Sequence, residues 1–161
     1  AFADAAAEAG LDALLTVDIP PEEVTAVNAE LARVGMDNIF LIAPTTPDKR
    51  VGVIADQASG CIYYVSLIGV TGAGNIDAAD VSANIARIRA HTDLPVAVGF
   101  GIKDAASART IAALADGVVV GSALVNLVAQ RIESGDSQEQ AMGAAAALLK
   151  EIRQGIDADA S

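Results

Sequence analysis

Residues 61–74, CIYYVSLIGVTGAG, place an apolar run directly before a loop rich in glycine. The run is continuous rather than alternating, which is typical of a strand covered on both faces, as in a parallel sheet. The same transition recurs in LPVAVGFGI at 94–102 and in ADGVVVGSA at 115–123. Three strands that end in glycine loops predict a functional edge, because such loops lie at the carboxyl ends of parallel strands.

Apolar runs of this kind alternate with helical patterns along the whole chain. The alternation predicts a parallel α/β architecture in a single domain over 1–161. The first ten residues, AFADAAAEAG, pattern as a helix that ends just before the first run, so we expect the last part of a longer βα series. DIPPEE at 18–23 predicts the start of the second helix. The predicted strands are DALLTVDI, NIFLIAP, CIYYVSL, LPVAVGF and DGVVVGSA.

Charge and composition exclude several classes of function. The 161 residues contain 10 Lys and Arg against 21 Asp and Glu, a net charge of −11. This charge opposes binding to nucleic acid or to an anionic membrane. The lone Cys61 excludes a disulfide within the chain and a site built on several cysteines, and favours a buried structural thiol. With no apolar stretch of about 18 residues and no signal-peptide pattern, we expect a cytoplasmic protein.

An acidic protein that holds an anion needs local positive potential, and backbone N–H groups supply it without side-chain charge. The segment SALVNLVAQ after Gly121 predicts a helix whose N-terminus faces the functional edge. For Gly101, Gly121 and Ser122 the sequence therefore favours an anion-binding role, whereas turn geometry remains the alternative explanation for Gly69 and Gly74.

Other residues at the strand ends allow two interpretations each. Thr71 either caps the next helix or binds substrate, and Phe100 either covers an aromatic substrate or belongs to the core. Asp18 could be catalytic, although such a residue more commonly holds a loop. Tyr63 and Tyr64 alternate, so one faces the sheet interior and the other faces the helices.

Five segments resemble the alpha subunit of tryptophan synthase, in order and at the spacing of that family. They are LLTVDIPPEE, IFLIAPTTP, YYVSLIGVTGAG, LPVAVGFGI and ADGVVVGSALV. The resemblance implies a parallel (β/α)8 TIM barrel of which this chain holds the last five βα units. It also implies a carbon–carbon lyase of tryptophan biosynthesis, which cleaves indole-3-glycerol phosphate to indole and glyceraldehyde 3-phosphate by a retro-aldol reaction.

The resemblance assigns roles to nine residues of this chain. It places the substrate phosphate at Gly72, Gly101, Gly121 and Ser122. It places the indole pocket and its closing loop at Leu15, Leu41, Tyr63, Thr71 and Phe100.

The resemblance also implies what this segment lacks. The glutamate and aspartate that transfer protons in the family belong to strands preceding this segment, so no catalytic residue is assigned here, and the segment alone is expected to be inactive. It implies no metal and no organic cofactor for this reaction. The implied partner is a PLP-dependent beta subunit in an alpha2-beta2 assembly. Two alternatives are another phosphate-binding barrel enzyme and an inactive partial barrel that only binds phosphate.

Overall fold

The fold is described from a computed structural model, which describes residues 2–66, 78–99 and 101–158. Hydrogen bonding places the strands in the order β1-β2-β3-β4-β5, with β1, β2 and β3 paired in parallel. Helices alternate with these strands, so the predicted parallel α/β architecture is confirmed. The elements are α1 Phe2–Glu8, β1 Ala13–Leu15, α2 Thr25–Arg33, β2 Asp37–Ile42, α3 Asp48–Gln57, β3 Ile62–Val65, α4 Ala78–Arg89, β4 Val96–Gly99, α5 Ala105–Ala112, β5 Gly117–Val119, α6 Ser122–Glu133 and α7 Gln138–Asp157.

The chain divides into two compact units, Ala1–Val65 with Ala83–Ala97, and Ser66–Ser82 with Val98–Ser161. In the first unit, one face of the sheet is buried through alternate residues of β2 and β3, among them Phe40, Ile42, Ile62 and Tyr64. The residues between them are half-buried and form the opposite face. This pattern leaves one face of the strands accessible within the first unit.

Buried polar side chains tie the first unit together behind β1. Asn38 in β2 accepts a hydrogen bond from the Thr16 hydroxyl at 2.9 Å and donates to Asn28 Oδ1 in α2 at 2.6 Å. Asn28 in turn donates to the carbonyl oxygen of Gln57, at the end of α3, at 2.8 Å. The four residues connect two strands with two helices, and Asn38 itself is 2% exposed.

The second unit is organised by helix α7. Its buried positions are Ala141, Ala145, Ile152 and Gly155, a spacing that puts one face of the helix against the rest of the unit. The sequence of α7 is rich in Ala and Leu, which have high helix propensity. Within the described part of the chain, no helix is long and apolar enough to cross a membrane.

Two local predictions are wrong. DIPPEE does not begin a helix: residues 21–23 form a turn, and α2 starts later, at Thr25. Strand β1 is also shorter than the predicted run 12–19 and ends at Leu15. The Thr16 N–H still donates to the Ile39 carbonyl oxygen at 3.2 Å, but the backbone then bends over residues 17–19, before a proline pair that lacks backbone donors.

Candidate functional site

The predicted phosphate residues that the structure describes belong to one unit. Gly101 follows β4, and both Gly121 and Ser122 follow β5. Because β4 and β5 are neighbours in the sheet, their carboxyl ends lie at the same edge. The structure thus brings these three residues to one edge of the second unit, while Gly72 lies outside the described residues.

Helix α6 begins at this edge without a side-chain cap. Gly121 is its N-cap residue, with φ −118° and ψ −83°, and it has no side chain to offer. The carbonyl oxygen of Gly121 accepts from the N–H groups of Leu124 and Val125 at 3.0 and 3.3 Å, so the helical turn is closed behind it. The first N–H groups of an α-helix have no acceptor within the helix and carry positive potential. The first turn of α6 can therefore receive an anion.

Space at Gly121 supports the same interpretation. A Cβ built on Gly121 would meet no described atom within 4 Å, and Ser122 is exposed. The φ of −118° at this position is not left-handed, so a positive φ is not the reason for glycine here. Packing of the described residues does not explain why glycine stands at position 121. Close approach of a ligand would explain it.

Helices α5 and α7 of the same unit differ from α6, because a side chain already caps the N-terminus of each. In α5 the Asp104 carboxylate accepts from the Ser107 N–H at 2.8 Å, and in α7 the Ser137 hydroxyl accepts from the Gln140 N–H at 3.3 Å. Each forms a reciprocal capping box. Hydrogen bonds from the Ser107 backbone and side chain hold the pKa of Asp104 below its usual value. The N-terminus of α5 thus already holds a carboxylate, whereas α6, like α2 and α3 of the first unit, begins without a side-chain cap.

Hydrogen bonds tie the loop after Gly101 to helix α5. Gly101 has a φ of +75°, in the left-handed region that favours glycine. Ile102 behind it is 3% exposed. The N–H groups of Lys103 and Asp104 both donate to the Ser107 hydroxyl, at 3.2 and 3.3 Å. The loop is therefore anchored to the first turn of α5, and turn geometry is one established reason for the glycine.

The predicted indole-pocket residues that the structure describes lie in the first unit. Leu41 and Tyr63 are register partners on β2 and β3, and both are half-buried on the accessible face of the sheet. Leu15 pairs with Ile39, two residues before Leu41, so it lies on the same face. Leu15 is 43% exposed. The three side chains therefore share one face of the sheet.

The environment of Tyr63 is consistent with an apolar pocket. Burial raises the pKa of its phenol above the ordinary value, because the charged form would lose contact with water. Tyr64, the next residue, points to the buried face, as the alternation predicts.

A cleft of about 290 Å³ lies beside Leu41 in the first unit. Asp18 is exposed at its rim, and Arg50 closes one side through an ion pair with Glu22 at 2.8 Å. The sequence did not predict Thr46 or Arg50 at a cleft, because nothing in TTPDKR distinguishes them from ordinary residues of a helix start. Asp18 remains a candidate for holding a loop or for catalysis.

Two reactive side chains, His91 and Cys61, are not among the residues grouped above. His91 lies at the end of α4 and pairs with Asp48 at 3.2 Å. Cys61 is half-buried, and burial together with the Asp37 charge raises the pKa of its thiol. Thr71 and Phe100, like Gly72, lie outside the described residues, so their roles stay predictions.

Comparison with known proteins gives a consistent result. The family model for the tryptophan synthase alpha chain matches residues 1–156. A tryptophan synthase alpha chain from Thioalkalivibrio sulfidiphilus is 51% identical over 157 residues, which is 98% of this chain and 58% of that protein. The structure of tryptophan synthase subunit alpha from Legionella pneumophila has a TM-score of 0.82 at 38% identity, covering 97% of this chain and 56% of that one.

A structure described as the tryptophan synthase α2β2 complex from Pyrococcus furiosus is also similar, with a TM-score of 0.80 at 32% identity over 95% of this chain and 60% of that chain. The chain spans less than three fifths of the length of the curated relative from Thioalkalivibrio. The predicted fold is confirmed: the five parallel strands are those of part of a (β/α)8 barrel. The chain belongs to the tryptophan synthase alpha chain family.

Proposed function

We propose that the complete gene product cleaves indole-3-glycerol phosphate to indole and glyceraldehyde 3-phosphate in tryptophan biosynthesis. The observation that carries this proposal is the open N-terminus of α6, which begins on Gly121 and Ser122 beside the anchored Gly101 loop. A phosphate ester is the part of this substrate that such a site recognises. Membership of the alpha chain family supports the choice of substrate.

The charge of the protein explains why the phosphate is held by backbone groups. With a net charge of −11, the chain repels a phosphate dianion at long range. The first turn of α6 is composed of Ser122, Ala123, Leu124 and Val125 and adds no negative charge at the site. Its N–H groups supply a short-range attraction, to which the Ser122 hydroxyl adds one more donor.

The proposed reaction has two parts, substrate binding and proton transfer. The residues of this chain contribute to substrate binding. The bond that breaks joins the indole ring to the side chain; the ring carbon gains a proton, and the side-chain hydroxyl loses one as it becomes the aldehyde. Leu15, Leu41 and Tyr63 supply an apolar wall for the ring. The resemblance assigns the proton transfers to a glutamate and an aspartate that no position of this chain matches.

The proposed partner is a PLP-dependent beta subunit in an α2β2 assembly. The relative from Pyrococcus furiosus is described in such a complex. Indole is a small apolar product that can pass from one subunit to the next without a charge to desolvate. Gel filtration of the gene product with a beta subunit from the same source, at micromolar concentration, is expected to show co-elution.

The experiment that tests the proposed function measures two quantities on the complete gene product. We expect inorganic phosphate to bind in titration calorimetry, and we expect indole to appear when indole-3-glycerol phosphate is added. Glyceraldehyde 3-phosphate should form in equal amount, because the cleavage needs no co-reactant. The control is the product carrying Gly121→Val, whose side chain occupies the space at the start of α6.

The outcomes separate the proposal from its alternatives. Phosphate binding without indole release would favour a partial barrel that only binds phosphate. Binding of other sugar phosphates with equal affinity, together with their conversion, would favour a different phosphate-binding barrel enzyme. Full activity of the Gly121→Val protein would contradict the placement of the phosphate at α6.

A further inference from the structure

Helix α7 makes a contact with helix α5 that leaves no room for a side chain. A Cβ built on Gly155 would lie 2.7 Å from the Cβ of Ala105 and 3.3 Å from its Cα and carbonyl oxygen. Real Cβ atoms do not approach other atoms to 2.7 Å, so an added methyl group must displace one helix from the other. The Arg109 side chain, one turn further along α5, donates to the Gly155 carbonyl oxygen at 3.0 Å.

The residue that Gly155 contacts is the first residue of α5. Directly before it, residues 101–104 form the loop that carries Gly101. Ser107 links this loop to the helix, because its hydroxyl accepts from the N–H groups of Lys103 and Asp104 and its own N–H donates to Asp104. Because of these hydrogen bonds, a displacement of the first turn of α5 also displaces the loop.

We propose that Gly155 is a positioning residue for the phosphate loop: its contact with Ala105 sets where residues 101–104 stand. The inference rests on the proposed function, since it takes Gly101 as part of the phosphate site. Gly155 itself does not touch substrate in this proposal. It acts through the start of α5, so the C-terminal helix determines the geometry of a binding loop distant from it in sequence.

A second glycine in the same helix offers a matched control. Gly143 is exposed on α7, and a Cβ built on it would meet no described atom within 4 Å. Gly143→Ala and Gly155→Ala make the same chemical change in the same helix, and both gain helix propensity. Among the described neighbours, only the methyl group added at position 155 meets α5. A difference between the two variants therefore reports on that contact.

The test compares these variants in the complete gene product by titration with inorganic phosphate and by KM for indole-3-glycerol phosphate. Gly155→Ala is expected to weaken phosphate binding and to raise KM, each by about tenfold, because small displacements of a binding group cost affinity steeply. Gly143→Ala should bind phosphate as the unaltered protein does and unfold at an equal or higher temperature. Removing the opposing methyl group, with Ala105→Gly in the Gly155→Ala protein, should restore most of the phosphate affinity.

A Gly155→Ala protein that is less stable yet binds phosphate normally would overturn the inference, since the glycine would then serve packing alone. If Gly155→Ala fails to fold, Ala105→Ser takes its place, because it adds one atom on the other side of the same contact. The same phosphate titration is then measured for Ala105→Ser. Weaker phosphate binding supports the inference, and unchanged binding overturns it. Failure of the unaltered protein to bind phosphate would instead contradict the proposed function, before any variant is compared.

Discussion

Replacement of Ser122 by aspartate is expected to weaken phosphate binding by roughly 30-fold, about 2 kcal/mol, through repulsion between two partly solvated negative charges. Ser122 is the first residue of α6, where the proposed phosphate meets the helix N-terminus. An acidic residue at this position normally stabilises a helix, because it complements the helix dipole. The free energy of unfolding should therefore stay equal or rise slightly while the affinity falls.

The opposite signs of these two effects make the experiment decisive. The matched control is Gln138→Asp, which places the same charge at the first residue of α7, where Ser137 already caps the helix. Titration calorimetry with inorganic phosphate and urea unfolding are measured for both variants. Equal phosphate affinities in the two variants would show that the start of α6 is not the anion site.

Replacement of Asn38 by aspartate is expected to cost about 3 to 5 kcal/mol of folding free energy, because it leaves a buried charge without a cation. The Asn38 side chain donates to Asn28 Oδ1 at 2.6 Å, and an ionised carboxylate cannot donate. Two acceptor oxygens would then face each other in the interior of the first unit. The contact with the Thr16 hydroxyl would persist, since that hydroxyl is the donor.

The loss should depend on pH in a defined direction. Burial raises the pKa of the new carboxyl group in the folded state above its unfolded value. The folded state then binds a proton more readily, so stability falls as pH rises through that range, and the deficit is smaller at pH 4 than at pH 8. Asn126→Asp, at an exposed position of α6, is the control and should change stability little. A deficit independent of pH would contradict the buried-charge explanation.

The sequence allowed most strands to be predicted because their apolar runs are continuous and each ends at a glycine, proline or acidic residue. The resemblance assigned Leu41 and Tyr63 to one pocket, and the register places them side by side. β1 was predicted too long, since the backbone bends over residues 17–19 although Val17 and Ile19 continue the apolar run. Local patterns do not show such a partner.

The same limit applies to the helices and the site. DIPPEE has the composition of a helix start, yet the chain makes a turn before Thr25, because tertiary context overrides weak propensities. Gly155 resembles a helix C-terminal glycine in sequence, whereas the structure shows it inside α7 as a close contact with α5. Gly101 was favoured for anion binding, and its φ of +75° adds a turn requirement that sequence alone did not reveal.

The missing side-chain cap of α6 has a consequence for how the protein should be handled. Helices α5 and α7 begin on side chains of the chain itself, whereas α6 begins on Gly121. Under the proposed function, the substrate phosphate completes this helix, so ligand binding and folding are linked equilibria. The measured stability then belongs to the protein together with its buffer anion, and a value obtained in phosphate is not the stability of the unliganded chain.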